Sequence, residues 1–562
     1  MKRFKLLSAL LVLVMISISC GGSESSNETA APQENQSQES ETPETSGESP
    51  EAGEETPASE TADEKLCKEQ HPDWENPIPA VDENRPWFGA CGRSASHVEA
   101  ILECAYIQNS SGSYELGPGE VIPQPILDED GNWTGECDQS FTEGDCPSCL
   151  QPDEVQSESV LATEELEESI QVALDDWIAA NGAPGSSLAV LLPDGSEVLV
   201  ASGVQDLRAD GAASTEDYWR IASISKPITS AVVLRLVEQG LVDVDATVAT
   251  YLGDEWATGY ELDGVDYAPL ITIRQILDHT DGFREYAFDP GFYLMVSNRL
   301  DVSMDPQEVV DWAFSVGPQY VPGTEYSYNT VGHIVAGLVI EAVTGKTAHE
   351  AMRELVFDPA GVTELYLTPG ESPPTYVPAM YVQGELADLI SLLPGLAPYL
   401  DAAEVGDLLD LSVGPQEVLT SAPWTGGGIE AQMDDLAHFF KAMFDGTVLQ
   451  EETVELFSET ALDTSYALGI QLSERVGYRT FEHGGGVPGF RSHARYFPDL
   501  DVSIALSTNL IPVDPDVGQL ADTVTQLVLD GLEDAGWEVP SPIGGDQGEQ
   551  APEDPNAGTT GS

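Results

Sequence analysis

Residues 220–226 place a serine and a lysine at a spacing that suits nucleophilic catalysis. Ser223 and Lys226 lie three positions apart, and helical residues at that spacing share one face. A serine hydroxyl is a weak nucleophile that needs an adjacent base. A lysine serves as that base only when it is neutral, and both burial and the positive end of a helix dipole favour the neutral form. The spacing therefore predicts acyl-transfer chemistry.

The residues behind this pair predict a buried helix. They recur at helical spacing as Ile228, Val232 and Leu236. The helix is expected to begin near Ser223, with Pro227 tolerated in its first turn. A serine and a lysine in an exposed helix cap are the alternative, because an S-x-x-K pair occurs by chance in many chains.

Further segments of the sequence strengthen the interpretation of Ser223 and Lys226 as a catalytic pair. They are ITIRQILDHTDGF at 271–283, PGTEYSYNTVGHIVAGLVIEAVTGK at 322–346, TGGGIEAQMDDLAHFF at 425–440 and HGGGVPGF at 483–490. In this order and with the segment at 220–252, they resemble the serine β-lactamase-like, penicillin-recognising hydrolases. That family includes class C β-lactamases, D-alanyl-D-alanine carboxypeptidases and related esterases. The resemblance spans about 165–535, and Asp281 stands where the family commonly has serine.

The resemblance implies roles for several residues. Ser223 matches the acylated serine and Lys226 matches its lysine partner. Tyr328 matches the tyrosine of a Y-x-N motif, which relays a proton to the leaving group, and Tyr326 is a poorer match. The third motif position is Thr330 rather than asparagine, while Asn329 stands one place early. Either of these two residues could therefore supply the hydrogen bond to the substrate.

The final segment resembles the H-x-G variant found in carboxypeptidases and esterases of the family. His483 is expected there as a donor that orients the substrate and helps to keep Lys226 neutral. Gly485 lies in a glycine-rich strand against which a substrate can lie. By resemblance, the backbone N–H groups of Ser223 and Gly486 form the oxyanion hole.

The substrate is less sharply indicated. Carboxypeptidase relatives hold a terminal carboxylate with an arginine, whereas the comparable position here is Gln471, with Arg475 or Arg479 as substitutes. We expect a serine hydrolase that acts on a small molecule or peptide, including a cell-wall peptide, or on an ester or amide. The alternative is a non-catalytic cell-surface binding protein on the same scaffold. Neither a metal nor a cofactor is predicted, since the sequence contains no H-E-x-x-H motif and no P-loop ending.

Charge and the N-terminus indicate where such an enzyme would act. The formal net charge of −77 disfavours nucleic acid and anionic lipid as partners. Lys2, Arg3 and Lys5 precede an apolar stretch that ends near Cys20, which is the pattern of a secretory signal. Cys20 resembles the lipid-attachment cysteine of bacterial lipoproteins, with a plain signal peptide as the alternative. We therefore expect export and a membrane contact made through that lipid alone.

The remaining sequence divides into segments of different composition. Residues 1–20 form the predicted signal, 21–65 an acidic disordered tether, and 539–562 a disordered tail. Residues 66–150 hold an even number of cysteines, which predicts a small disulfide-stapled module of unknown pairing: Cys67, Cys91, Cys104, Cys137, Cys146 and Cys149. The hydrolase domain is predicted at 160–538.

Periodicity within that domain predicts its fold class. Thr163 is expected to cap a helix that buries Leu166, Ile170, Leu174 and Trp177. Alternating strands around turns predict hairpins at 188–201 and at 492–508, and a closing amphipathic helix at 517–533. These elements predict an α/β (α+β) domain in which helices flank an antiparallel sheet built from both ends of the domain. The resemblance adds a mostly helical subdomain and leaves the oligomeric state open.

Overall fold

The computed structural model describes residues 161–543, apart from positions 210, 254, 255, 257, 298 and 376, together with the backbone of two earlier strands. Those strands, Gln124–Leu127 and Trp133–Asp138, pair antiparallel. The predicted lipidation site Cys20, the predicted acidic tether, the predicted disulfides of the cysteine module and most of the predicted tail lie outside the described residues. They stay predictions, as do the domain boundaries.

A six-stranded antiparallel sheet forms the centre of the domain. Its strands in spatial order are Gln471–Arg475, Tyr478–Val487, Phe490–Phe497, Val502–Thr508, Gly185–Leu191 and Glu197–Gly203. The strand that ends at Thr508 pairs with the strand that begins at Gly185, with Ala505 opposite Ala189. The sheet is therefore assembled from both ends of the domain, which confirms the predicted antiparallel fold.

The first and last helices of the domain cover one face of this sheet. The first helix, Glu164–Asn181, begins at Thr163, whose side chain accepts a hydrogen bond from the Leu166 N–H, and it ends at Gly182 in the left-handed conformation. The last helix is Val517–Asp534, and its apolar side chains join those of the first helix in a common core. We call this pair the terminal helices.

The sheet separates two apolar layers. Leu188 and Val190 face the core of the terminal helices, whereas Ala189 and Leu191 face a second and larger core. Successive side chains of a strand point to opposite faces, so a strand that is covered on both sides contributes side chains to two cores. The second core holds the nucleophile and its supports.

The predicted nucleophile helix lies in the second core. A single 3₁₀ turn, Ala222–Ile224, leads into the α-helix Ser225–Glu238. Nearly every side chain of this helix is buried, including Lys226. The result confirms a buried helix that begins near Ser223, with Pro227 in its first turn.

The other helices surround the second core, and short strands connect them. The α-helices are Ala249–Leu252, Ile273–Leu277, Pro290–Val296, Pro306–Val316, Val331–Thr344, Ala348–Met352, Asp358–Ala360, Gly384–Ile390, Leu400–Ala403, Glu417–Ser421, Met433–Phe444 and Glu451–Phe457. The strands outside the main sheet are Trp219–Arg220, Glu261–Leu262, Val265–Asp266, Leu365–Leu367, Tyr381–Val382, Glu404–Val405, Leu408–Asp410, Ile429–Ala431 and Leu510–Ile511. Among the residues described, no single helix has the length and apolarity to cross a membrane, although Val331–Thr344 and Ala348–Ala360 pass that test as a pair bent by 80°.

Candidate active site

The nucleophile turn is held against the glycine-rich strand. Ala222 adopts a positive φ of 51°, a strained conformation for a residue with a side chain, and it places Ser223 at the mouth of the helix. Ser492 Oγ donates a hydrogen bond of 2.8 Å to the Ile221 carbonyl. A Cβ atom at Gly485 would lie 2.1 Å from that same carbonyl oxygen. Gly485 therefore allows the strand to lie directly behind the nucleophile.

Lys226 is fully buried, and its amine has three hydrogen-bond partners. Its Nζ lies 3.1 Å from Ser223 Oγ, 3.3 Å from Thr330 Oγ1 and 2.8 Å from the Gly426 carbonyl oxygen. The carbonyl can only accept, and the threonine hydroxyl can also accept. When the amine is neutral, its two hydrogens can serve these two oxygens and its lone pair can face the serine hydroxyl.

Electrostatics favour that neutral form. Burial lowers the pKa of Lys226 to about 7, and the Glu285 carboxylate opposes part of this shift. Glu285 lines the same cavity, and its two oxygens accept hydrogen bonds from Ala287 N at 2.8 Å and Thr330 N at 2.5 Å. A substantial fraction of Lys226 is therefore neutral near neutral pH, and Glu285 limits how large that fraction becomes.

Tyr328 also contacts the nucleophile. Lys226 Nζ is 4.8 Å from the centroid of its ring, and its hydroxyl is hydrogen-bonded to Ser223. Burial raises the pKa of Tyr328 well above its ordinary value, so this residue is a phenol at rest. The His279 ring packs 4.4 Å away, and its carbonyl oxygen accepts a hydrogen bond from Ser327 N at 3.0 Å. His279 thus supports the tyrosine loop, in keeping with its omission from the predicted catalytic residues.

Of the two residues that compete for the third position of the tyrosine motif, Thr330 lies at the cavity. Asn329 is turned inward, where its Nδ2 lies 3.0 Å and 3.2 Å from the two Asp281 oxygens. Its Oδ1 accepts a hydrogen bond of 2.8 Å from Gly332 N. The expectation that Asn329 binds substrate therefore does not fit its contacts. The unusual Asp281 explains why, because it engages the asparagine amide inside the fold.

His483 lies beside the same cavity, but its ring nitrogens are both used within the protein. Nε2 is 2.9 Å from Tyr466 Oη, and Nδ1 is 2.6 Å from the Gly484 carbonyl oxygen. Burial lowers the pKa of His483 to about 3, so the ring is neutral over the ordinary pH range. The expected role of His483 as a donor to the substrate does not fit these contacts.

A cavity of about 440 Å³ opens in front of Ser223. Its polar lining includes Glu285, Tyr328 and Thr330, and Gly486 lines it as well. Gly485 is not part of this lining, because its Cα faces the Ile221 carbonyl behind the nucleophile turn. Its expected role in direct substrate contact is therefore replaced by a packing role. Aromatic and aliphatic side chains complete the wall, including Tyr286, Phe292, Tyr293, Leu386 and Val418.

The arginines considered for a substrate carboxylate are occupied elsewhere. Arg475 pairs with Glu482 at 2.6 Å and Arg479 pairs with Asp499 at 2.5 Å, and neither lines the cavity. Gln471 does line it.

Arg491 is the guanidinium among the described lining residues. Its Nε lies 2.7 Å from Asp516 Oδ2, and its NH1 lies 3.0 Å from the Gly485 carbonyl oxygen. The cavity therefore presents no free guanidinium within the described part of the chain.

Sequence reasoning missed three contributors to this site. Glu285 follows the segment at 271–283 by two residues, so a search of that flank for carboxylates could have found it. The Gly426 carbonyl is a backbone group, and the sequence carries no signal for its direction. Tyr466 lies in a segment without a motif and meets His483 only through the tertiary fold.

The fold and the site together define a serine hydrolase. A family model described as Beta-lactamase matches residues 173–528, and the chain belongs to that family. Penicillin-binding protein 4 of Amycolatopsis lactamdurans is 27% identical over 342 residues, which cover 58% of this chain and 81% of the relative.

Two further proteins illustrate the range of the family. The lovastatin esterase of Penicillium rubens is 31% identical over 163 residues, but the match covers only 27% of this chain and 40% of that esterase. The solved D-amino acid amidase of Ochrobactrum anthropi SV3, complexed with L-phenylalanine, superposes with a TM-score of 0.55 at 23% identity. That superposition covers 66% of this chain and 99% of the amidase, and it supports the fold.

Proposed function

We propose that this protein hydrolyses an ester or amide in two acyl-transfer steps at Ser223. Lys226 takes the hydroxyl proton while Ser223 Oγ forms a bond to the substrate carbonyl carbon. The Tyr328 phenol then donates its proton to the leaving oxygen or nitrogen as the bond to the leaving group breaks, and the Lys226 ammonium restores that proton. Water attacks the resulting acyl-enzyme by the same route and releases the acid.

The orientation of the Lys226 amine carries this proposal. Two acceptors, the Gly426 carbonyl and the Thr330 hydroxyl, use the hydrogens of the neutral amine, so its lone pair is left for Ser223. Lys226 is already buried, and its pKa is about 7. Its lone pair is therefore available near neutral pH without further desolvation of the amine during the reaction. General-base assistance of this kind typically contributes about 10²–10⁴ in rate.

The developing oxyanion requires donors in front of the nucleophile. We assign this role to the backbone N–H groups of Ser223 and Gly486, which both line the cavity. Backbone donors that are fixed in place stabilise the tetrahedral intermediate, and the loss of one such donor costs about 10²–10³ in rate. Gly485 supports them by allowing the close approach of the strand to the nucleophile turn.

We propose esters or amides with a largely apolar acyl group that carries no carboxylate as the substrate class. The cavity wall is largely apolar and aromatic, its carboxylate is Glu285, and its guanidinium is already paired with Asp516. An anionic substrate would meet repulsion from Glu285 without a free cation in the described lining. The esterase relative supports an ester. A peptide with a D-alanyl end, which the motif resemblance implies, is the second candidate.

A labelling experiment tests the nucleophile. Wild-type protein should react with a fluorophosphonate probe and hydrolyse a short 4-nitrophenyl ester, and Ser223→Ala should abolish both. Ser458→Ala, a substitution of a serine that does not line the cavity, should leave both unchanged. Equal labelling of wild type and Ser223→Ala would reject the assignment and would favour a binding protein on a hydrolase scaffold. Turnover of the ester should then be compared with that of a D-Ala-D-Ala peptide and nitrocefin.

We also propose export and lipid attachment at Cys20, on the basis of the N-terminal sequence. Metabolic labelling with palmitate should mark the wild-type protein in a bacterial host, and Cys20→Ser should remove the label and release the protein from the membrane fraction. Retention of both label and membrane association in Cys20→Ser would contradict the proposal.

A further inference from the structure

Tyr466 and His483 form a buried pair at the edge of the active-site cavity. Tyr466 is 6% exposed and His483 is 5% exposed, and the phenolic oxygen lies 2.9 Å from His483 Nε2. Both side chains line the cavity that contains Ser223. The tyrosine belongs to the segment before strand Gln471–Arg475 and is absent from every motif of the sequence.

The direction of this hydrogen bond follows from the other side of the imidazole ring. His483 Nδ1 lies 2.6 Å from the Gly484 carbonyl oxygen, which can only accept, so Nδ1 carries a hydrogen. In a neutral imidazole the other nitrogen then has a lone pair and no hydrogen. Tyr466 must therefore be the donor in the contact with Nε2.

The surroundings keep both members of the pair uncharged. Burial lowers the pKa of His483 to about 3, and burial raises the pKa of Tyr466 well above its ordinary value. The charged or titratable groups that act on His483 include Lys226, His493 and Arg491, all of which oppose its protonation. The Tyr328 ring lies 6.1 Å from the His483 ring. Proton exchange within the pair at working pH is thus disfavoured.

The hydrogen bond changes what the cavity offers to a substrate. The one hydroxyl hydrogen of Tyr466 is used by His483, so the oxygen facing the cavity has only lone pairs to offer. His483 Nε2, which could otherwise donate, has no hydrogen. Glu285 adds a carboxylate to the same lining. Tyr466 and Glu285 thus both present acceptors to a bound molecule.

We propose that Tyr466 is a specificity-determining residue: its hydroxyl occupies the acceptor nitrogen of the H-x-G histidine, and the pair selects substrates that carry an N–H, O–H or ammonium donor over substrates that carry a carboxylate. This proposal rests on the acyl-transfer function proposed above and defines its substrate class further. Tyr466 acts partly through His483 and is not assigned a proton-transfer step.

The test uses three 4-nitrophenyl esters of matched length, made from hexanoic acid, 6-aminohexanoic acid and adipic acid. Wild-type kcat/KM should be lowest for the adipate monoester, whose free carboxylate meets the Glu285 carboxylate and the acceptors of the Tyr466–His483 pair. Tyr466→Phe should leave the His483 Nε2 lone pair without a hydrogen bond, and the carboxylate of bound adipate then favours protonation of that nitrogen, which becomes a donor to it. The ratio of kcat/KM for adipate to that for hexanoate should then rise about fivefold, and it should rise more at pH 6 than at pH 8.

Two control variants separate this effect from a structural one. Tyr260→Phe removes another buried tyrosine hydroxyl, one that has no hydrogen-bond partner among the described residues and does not line the cavity, and it should leave the ratio unchanged. The double variant Tyr466→Phe with His483→Gln should lose the pH dependence of the ratio. An equal fall for all three esters in Tyr466→Phe, with an unchanged and pH-independent ratio, would overturn the proposal.

A measurement on the wild-type protein covers the case in which Tyr466→Phe fails to fold. Nitrogen-15 NMR of histidine-labelled protein, assigned by comparison with His483→Gln, reports which ring nitrogen carries the hydrogen. A hydrogen on Nδ1 is expected, and a hydrogen on Nε2 alone would overturn the proposal. Absence of ester hydrolysis and of fluorophosphonate labelling in the wild type would instead remove the acyl-transfer function itself.

Discussion

Two neighbouring residues of the strand Tyr478–Val487 are both buried, but one is neutral and the other is charged. His483 faces the active-site cavity, where it is neutral and accepts a hydrogen bond from a tyrosine. Glu482 faces the reverse side of the sheet, where Arg475 lies 2.6 Å from its carboxylate. Burial alone would raise the pKa of Glu482, but His493 and Arg475 hold it well below the usual range.

The difference shows that burial does not by itself decide whether a group is charged. On the reverse face, buried charges remain because opposite charges and hydrogen bonds surround them: Arg495 is fully buried and lies 2.6 Å from Asp522. On the cavity face, the contacts of Lys226 within the described part of the chain are dipoles and no ion pair, and its pKa falls to about 7. One strand thus separates a structural ion network from a site whose bases are kept neutral.

The strongest challenge to this comparison is removal of the cavity amine. Lys226→Met should lower kcat/KM for a 4-nitrophenyl ester by about 10³–10⁴, because the general base is lost. The free energy of unfolding at pH 8 should not fall and should rise by about 1–2 kcal/mol, because the wild type must bury an amine that the unfolded state keeps protonated. Ester kinetics and urea unfolding measure the two effects, and a destabilised variant would contradict the account.

A substitution on the reverse face of the sheet should have the opposite effect on stability. Arg495→Met should lower the free energy of unfolding by about 3–5 kcal/mol, since it leaves the buried Glu482 without one of its cationic neighbours. Activity of the folded fraction should change much less than in Lys226→Met. Urea unfolding of both variants under the same conditions makes the contrast direct, and similar stability changes in the two would remove it.

The buried neutral histidines predict a pH-dependent loss of stability. Burial lowers the pKa values of His279, His333 and His483, the last from 6.5 to about 3. The unfolded state therefore binds more protons below pH 6.5, so stability is fully present above that pH and is lost as the pH falls from 6.5 toward 3. Each histidine should cost about 1 kcal/mol at pH 5.5.

Comparison of the wild type with His333→Gln separates the contribution of His333 to the pH dependence of stability from the contribution of the many carboxylates. The unfolding free energy of the variant, followed in urea between pH 8 and pH 5.5, should fall less steeply than that of the wild type. Parallel curves would show that His333 does not titrate as its burial predicts.

The smallest expected effect concerns Glu285. Its carboxylate raises the pKa of Lys226, so Glu285→Gln should move the acid limb of the kcat/KM profile, centred near pH 7 in the wild type, to lower pH. The amide oxygen can still accept a hydrogen bond from Thr330 N. An ester assay between pH 5 and pH 9 measures the shift, with Glu452→Gln on the protein surface as a matched control. An unshifted midpoint would mean that Glu285 does not act on Lys226.

The sequence allowed prediction of features that depend on local pattern. Periodic apolar residues predicted the terminal helices and the hairpins, and the spacing of Ser223 and Lys226 predicted their contact of 3.1 Å. The roles of Asn329 and His483 could not be predicted from the local pattern. Asp281, 48 positions from Asn329, sets the role of the asparagine, and Tyr466, 17 positions from His483, sets the role of the histidine. Spacing within a motif carries no information about partners that only the tertiary fold supplies.

The bond between Asp281 and Asn329 has a consequence for recombination among homologous genes. A crossover located between codons 281 and 329 would combine one parental loop with the other parent's tyrosine segment. If the incoming loop carried serine at position 281, the buried asparagine amide would lose its carboxyl partner, which costs about 1–3 kcal/mol. Productive chimeras should therefore inherit both positions from a single parent.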